Sequence, residues 1–126
     1  MAKSRILLLE PDNQSARIMR EFLEADGSYI VDFAHSSQEA IHCADDHTPE
    51  LVVLELAVRD HNGFAFLHEF RSYHDWASIP VIIYSHLDVS EAAASESWKT
   101  LGAKYYFYKP TTTLAQLKNA IDDVLA

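Results

Sequence analysis

Cysteine, glycine, proline and positive charge are all scarce in this chain, and each shortage excludes something. Cys43 is the sole cysteine of 126 residues, so no internal disulfide can form, and a reducing cytosol is the expected compartment. The three glycines, Gly27, Gly63 and Gly102, stand too far apart to write a G-x-G-x-x-G dinucleotide loop or a P-loop, which excludes NAD and NTP chemistry by those routes. Four prolines and three glycines are also too few for a linker or a collagen-like protein. Ten Lys and Arg stand against nineteen Asp and Glu, and the formal charge of −9 repels phosphate backbones and anionic bilayer surfaces, so neither nucleic acid nor membrane is expected as a partner. No apolar run approaches the roughly 18 residues that a membrane span needs. Only four apolar residues separate Arg5 from Glu10, too few for a signal-peptide core.

What is present is an ordinary core. Hydrophobic residues make up 48% of the chain, enough for one domain over residues 1–126, expected to stand alone as one part of a larger apparatus without an output module of its own. Short β-rich runs at Ile6–Leu9, Tyr29–Ala34, Leu51–Leu54, Val81–Tyr84 and Lys104–Tyr108 alternate with helix-period stretches. Ile6-Leu7-Leu8-Leu9 and Leu51-Val52-Val53-Leu54 are apolar on both faces, as parallel strands covered by helices on both sides must be. Between the strands, Asp12 or Asn13 can cap a first helix that stops at Gly27, and Ser36 or Ser37 can cap a second that ends before Thr48-Pro49. A third helix runs from about Gly63 through Phe70, and a fourth from Ser90 to Leu101. Thr113-x-x-Gln116 is a capping box ahead of a fifth. Five strand–helix alternations predict an α/β fold with a doubly wound, five-stranded parallel sheet of flavodoxin-like topology, in which ligands sit beyond the carboxyl ends of the strands.

That carboxyl edge carries Glu10-Pro11-Asp12 after the first strand, Glu55 after the third, Ser85 after the fourth and Lys109-Pro110 after the fifth. Carboxylates, a hydroxyl and an ammonium converging on one crevice have the donor set for a divalent cation and a phosphoryl group. The same groups equally suit a charge-neutralising cluster that keeps a buried Glu55 ionised, with no chemistry attached.

In this order the residues resemble the receiver domains of bacterial two-component response regulators. Ile6-Leu-Leu-Leu-Glu-Pro-Asp12 is similar to the family's first strand and acidic pair, Pro49-Glu-Leu-Val-Val-Leu-Glu-Leu56 to its phosphoacceptor strand, and Asp60-His-Asn-Gly63-Phe64 to the loop entering the third helix. Ile79-Pro-Val-Ile-Ile-Tyr-Ser85 and Gly102-Ala-Lys-Tyr-Tyr-Phe-Tyr-Lys-Pro110 complete the match. The resemblance implies that a His kinase passes phosphate to an aspartate ending the third strand, with Mg²⁺ held by acids after the first. It also makes Ser85 the switch hydroxyl, Lys109 the phosphoryl-binding lysine, and the Lys109–Pro110 bond cis. Tyr106 matches the family's aromatic switch on the surface of the fourth helix, fifth strand and fifth helix, where partners or a second copy dock; Trp98 is a further aromatic candidate there.

Two departures fall on the reaction itself. Glu55 stands where the family has its phosphorylated Asp, and Pro11, with no side-chain oxygen, stands where it has the principal Mg²⁺-binding Asp. One extra methylene displaces the carboxylate by about 1 Å, a scale on which misplacement costs roughly a hundredfold. A lost metal ligand removes charge stabilisation on which phosphoryl transfer depends. The expectation is therefore an atypical, non-enzymatic receiver, a pseudo-receiver, that acts by binding a protein such as a sensor kinase or scaffold. Its degenerate pocket comprises Glu10, Pro11, Asp12, Glu55, Ser85 and Lys109, with Glu55 either imitating a phosphorylated state or locking one conformation through Lys109. No cofactor is expected; the resemblance implies Mg²⁺, and the missing oxygen ligand argues against it. Two readings stay open beside this one: a receiver that still accepts phosphate from a His kinase, and a metal-dependent phosphatase using Glu10 and Asp12. The seven histidines have no paired H-x-x-x-H spacing, which favours scattered surface imidazoles over a metal site; His61 and His86 alone fall beside the crevice. Cys43 reads as an apolar filler in the second helix.

Overall fold

The computed structural model describes residues 3–58, 63–88 and 97–126, apart from the side chains of 97 and 98. Five strands, β1 (Ser4–Leu9), β2 (Tyr29–Ala34), β3 (Leu51–Leu54), β4 (Val81–Ser85) and β5 (Ala103–Tyr108), alternate with helices α1 (Asn13–Glu24), α2 (Ser37–Asp46), α3 (Gly63–Ser72), α4 (Ser97–Thr100) and α5 (Leu114–Leu125). All strand pairs are parallel and the sheet order is β2-β1-β3-β4-β5. The chain thus reverses direction across the sheet between β1 and β3, which opens a crevice beyond their carboxyl ends.

Both sheet faces are buried because the strand side chains alternate. Leu7, Leu9, Val52, Leu54 and Ile83 point to the side covered by α2 and α3, where they meet Ala40, Phe66, Leu67 and Phe70. Ile6, Leu8, Leu51, Val53 and Ile82 point to the other, against Met19 and Leu23 of α1 and Leu117 and Ile121 of α5. This two-sided burial is why β1 and β3 read as unbroken apolar runs.

Local chemistry sets the helix ends. The Asp12 carboxylate accepts the Ser15 N–H at 2.8 Å, the Ser36 hydroxyl accepts the Glu39 N–H at 3.2 Å, and Thr113 and Gln116 form the reciprocal box at the start of α5. Gly27 and Gly102 follow α1 and α4 with φ of +81° and +84°, a region costly to other residues. Of the expected fourth helix, Ser90 to Leu101, residues 97–101 fall within the described set, and Ser97–Thr100 are helical.

Two features lie outside the sequence expectations. A short 3₁₀ turn at His74–Trp76 ends a column of rings in which Phe66, Phe70, Trp76 and Tyr73 follow one another at centroid spacings of 5.5, 5.1 and 4.8 Å. Beside it the Arg71 guanidinium donates to the carbonyls of Leu101, Trp76 and Gly102, tying the end of α3 to the turn entering β5. The expected cis bond at Lys109–Pro110 is corrected: no peptide bond among the described residues is cis. Lys109–Thr111 forms a 3₁₀ turn in which Pro110 sits near the N-terminus, where its fixed φ fits and its missing N–H costs nothing. Among the described residues no helix is long and apolar enough to cross a membrane.

Gly63 closes the third crossover onto the sheet edge. Its N–H donates to the Leu56 carbonyl at 2.7 Å, and a Cβ added there would lie 2.6 Å from Leu56 Cα and 3.0 Å from the Glu55 carbonyl oxygen. Backbone cannot yield as a flexible side chain would. Gly63→Ala is expected to cost about 1–3 kcal/mol in urea unfolding; an unchanged midpoint would show that this approach is not needed for the fold.

Candidate functional site

Register brings the sequence-predicted residues together. Leu9 of β1 pairs with Leu54 of β3, so the next residues on each strand, Glu10 and Glu55, leave the sheet side by side; the Glu55 N–H donates to the Leu9 carbonyl at 3.0 Å. Ser85, the last residue of β4, pairs with Tyr108, and Lys109 follows directly. Four side chains that come from four strands therefore meet at one edge. Glu10, Glu55 and Ser85 are buried, at 3%, 2% and 0% exposure.

Lys109 is the centre of the cluster. Its ammonium contacts Glu10 Oε1 and lies 3.1 Å from Glu55 Oε1, with the Tyr84 ring facing it at 5.4 Å. Each carboxylate is also held from its own loop: Glu10 Oε2 accepts the Asp12 N–H at 3.0 Å, and Glu55 Oε2 accepts the Ala57 N–H at 3.1 Å and the Ser85 hydroxyl. Glu55 Oε1 accepts the His86 N–H at 3.1 Å, and the His86 imidazole Nδ1 stands at the same distance. Burial by itself pushes the Glu55 carboxyl up. The Ser85 hydroxyl, the Lys109 ammonium and the N–H groups of Ala57 and His86 outweigh it and leave Glu55 below its ordinary 4.5.

A second chain of bonds leads away from the pocket. The Ser85 hydroxyl, while donating to Glu55, accepts the Leu87 N–H at 3.0 Å; the Leu87 carbonyl in turn accepts the Tyr106 hydroxyl at 2.7 Å. Tyr106 is half-buried and packs against the core on the α2–α3 side of the sheet. Lys109, Glu55, Ser85, Leu87 and Tyr106 are thus linked without a break from the pocket to the β5 surface.

Pro11 and Asp12 follow Glu10 directly, and the Asp12 N–H is one of the bonds that hold it. With Ala57 and Val58 they line a shallow depression at the same sheet edge, and the Asp12 carboxylate caps α1. The Trp98 side chain and His61 lie outside the described residues. Sequence reasoning named the ionisable members but missed the backbone donors of Asp12, Ala57, His86 and Leu87. Any residue supplies an N–H, so residue type carried no signal for them; only the strand-end position did.

The Mg²⁺ implied by the receiver resemblance does not fit these residues as they stand. Pro11 brings no side-chain oxygen, and both remaining carboxylates face the Lys109 ammonium, which lies between them. Among the described residues, no three His, Cys, Asp or Glu side chains gather in a metal-binding arrangement.

Comparison with known proteins agrees with this architecture. The family model for the response regulator receiver domain matches residues 6–122. The KDP operon transcriptional regulatory protein KdpE of Escherichia coli (strain K12) is 29% identical over 107 residues, covering 85% of this chain and 45% of that protein. A protein-glutamate methylesterase/protein-glutamine glutaminase of Trichodesmium erythraeum is 31% identical over 111 residues, covering 87% and 31%. The chain thus spans less than half the length of these curated relatives. Among solved structures, a CheY-like response regulator receiver domain protein from Methanospirillum hungatei JF-1 superposes with a TM-score of 0.87 at 20% identity, covering 98% of this chain and 94% of that one. The non-phosphorylated HemR receiver domain from Leptospira biflexa gives 0.83 at 28% identity, covering 98% and 95%. With the family model matched from β1 into α5, a sheet in the order β2-β1-β3-β4-β5 and acid, hydroxyl and lysine at its carboxyl edge, this chain belongs to the response regulator receiver domain family of two-component signalling.

Proposed function

We propose that this chain is an atypical receiver that signals by binding a protein partner without a phosphoryl cycle. Receiver domains of two-component systems interact with kinases and other proteins, and a sensor kinase or signalling scaffold is the partner class favoured here. One observation supports the reading above the rest: the side chain in the acceptor position already holds every group that would receive a phosphoryl oxygen. Glu55 takes Lys109 and His86 on one oxygen and Ser85 and Ala57 on the other, so its lone pairs are spent and attack on phosphorus would require breaking those bonds first. Glu55 also reaches one methylene further than the family's Asp, which places its negative charge against Ser85 and Lys109. The bonds running through Ser85 and Leu87 to Tyr106 then fix one form of the β5 surface, and partner recognition would rely on that fixed form. A phosphatase reading has nothing in its favour at this site, because Asp12 is engaged in capping α1.

The test is intact mass after incubation with a small acyl phosphate and magnesium. Wild type is expected to gain nothing, whereas Pro11→Asp combined with Glu55→Asp, which restores the missing oxygen and the shorter acid, is expected to gain one phosphoryl group of about 80 Da. A stoichiometric adduct on wild-type Glu55 would overturn the proposal.

The charge on Glu55 also sets a pH dependence. Because its folded value is lowered, its contribution to stability is complete above about 4.5, the unfolded value, and is lost as pH falls through the lower folded value. Glu55→Gln keeps the shape but forces an amide donor against N–H and hydroxyl groups. At neutral pH it is expected to cost about 3 kcal/mol, with the gap to wild type narrowing steadily in urea unfolding below pH 4.5. A gap that stays constant with pH would show that Glu55 is not held as the anion.

A further inference from the structure

We infer that a cavity at the amino edge of the sheet, between the ends of α2 and α3, is a docking site for an arginine side chain of a protein partner. It lies at the opposite edge from Glu55 and Lys109: Thr48, on its rim, precedes β3, and Trp76 precedes β4. The cavity measures about 380 Å³, within the roughly 300–1,000 Å³ of sites that take a small group. The inference goes beyond the proposed function, which concerns the carboxyl edge.

Two rings and two acids shape it. Tyr73 and Trp76 stand 4.8 Å apart and tilted by 56°, an aromatic corner, and Ala44 of α2 is among the residues that close the cavity with them. Trp76 is 6% exposed and Tyr73 43%, so one ring backs the cavity while the other is open to an incoming group. The Trp76 carbonyl accepts the Arg71 guanidinium, but its indole N–H has no acceptor among the described residues. Asp45 lines the cavity from α2, and Asp75 from the turn after α3. Negative charge converges on the Tyr73 phenol: Glu69 pushes it up, and burial and Asp45 add to the effect. Aromatic faces beside carboxylates select a flat cation, because a guanidinium stacks on a ring while its N–H groups reach the acids.

The helix ends make the same demand. α2 and α3 both finish beside the cavity, and a helix C-terminus carries partial negative charge that favours a cation. Yet the last turn of α2 has no basic residue and contains Asp45 and Asp46, which opposes the helix itself. α3 does end on a basic residue, Arg71, but its guanidinium is turned to the carbonyls of Leu101, Trp76 and Gly102. Among the described residues no basic side chain pairs with Asp45 or Asp75. Acids kept where they cost stability, beside an open aromatic ring, fit a cation that arrives from outside. A metal ion would find nothing to coordinate on the aromatic wall.

The experiment titrates the full chain, followed by ¹H–¹⁵N NMR, with a capped pentapeptide carrying one arginine among glycines. The control is the same peptide with citrulline, which keeps the shape and lacks the charge. Saturable shifts are expected at the Trp76 indole N–H and at the backbone amides of Asp45 and Asp75, with a dissociation constant on the order of 1 mM. The citrulline peptide should bind about tenfold more weakly or worse. Trp98→Phe identifies which indole signal belongs to Trp76. Asp45→Asn combined with Asp75→Asn is expected to abolish the shifts while leaving the urea midpoint no lower than that of wild type, because the acids do not favour the end of α2. Equal binding of the citrulline peptide, shifts that scatter over the acidic surface without saturating, or a doubly substituted protein that still binds would overturn the inference. A lowered midpoint would overturn it too, since the acids would then serve the fold. None of these outcomes bears on Glu55, and a phosphoryl adduct there would leave this inference standing.

Discussion

Two carboxylates leave the sheet at adjacent positions on β1 and β3, and the protein has to reconcile them. The parallel register that pairs Leu9 with Leu54 dictates that Glu10 and Glu55 emerge together, and the apolar strands behind them keep both out of water. Unit charges 5 Å apart repel by about 3 kcal/mol at an effective dielectric of 20, before any desolvation is counted. Lys109 resolves the conflict because β5 ends at the same level as β4, with Ser85 paired to Tyr108 and the lysine next in line. Sheet order therefore does electrostatic work: the strand that delivers the cation lies two strands from the β3 acid, and the long lysine stem crosses β4 above Tyr84, whose ring it faces.

The ion cluster and the hydrogen-bond path to Tyr106 share a single carboxylate. Glu55 Oε1 meets Lys109 and His86, whereas Oε2 meets Ser85 and Ala57. Moving Glu55 would consequently disturb both at once, releasing Lys109 on one side and the Ser85 hydroxyl on the other. Since Ser85 also accepts the Leu87 N–H, its hydroxyl fixes the start of the loop after β4, and Tyr106 reads that loop through the Leu87 carbonyl. Coupling of this kind requires no large motion, only that each donor have one acceptor at hand.

Most of the scaffold was legible from residue pattern because its causes are local or periodic. Unbroken apolar runs at Ile6–Leu9 and Leu51–Leu54 signal two-sided burial, and Asp12, Ser36 and Thr113 carry the capping chemistry that starts three of the helices. The ionisable members of the pocket were legible for a different reason: parallel α/β topology assigns strand ends to one edge, so Glu10, Glu55, Ser85 and Lys109 could be placed together without any distance. What pattern did not carry was whatever depends on backbone position. The N–H groups of Ala57, His86 and Leu87 carry no side-chain signature. The 3₁₀ turn at His74–Trp76 and the Arg71 bonds to Leu101 and Gly102 arise only when α3 and the turn into β5 are already packed. The bond before Pro110, expected cis by family resemblance, is trans, and nothing in the residues themselves distinguishes the two.

The substitutions at positions 11 and 55 also make physical sense as a pair. An acid at position 11 would bring the pocket toward three negative charges, more than one lysine can balance, and such a set calls for a divalent ion. Proline there holds the set at two, and Lys109 then leaves a single residual charge that the N–H groups of Asp12, Ala57 and His86 help disperse. At position 55 the extra methylene of Glu carries the carboxylate to the Ser85 hydroxyl and the His86 N–H. Among the described residues of the cluster, His86 is open to solvent, with its side chain 66% exposed and its ring 3.1 Å from Glu55.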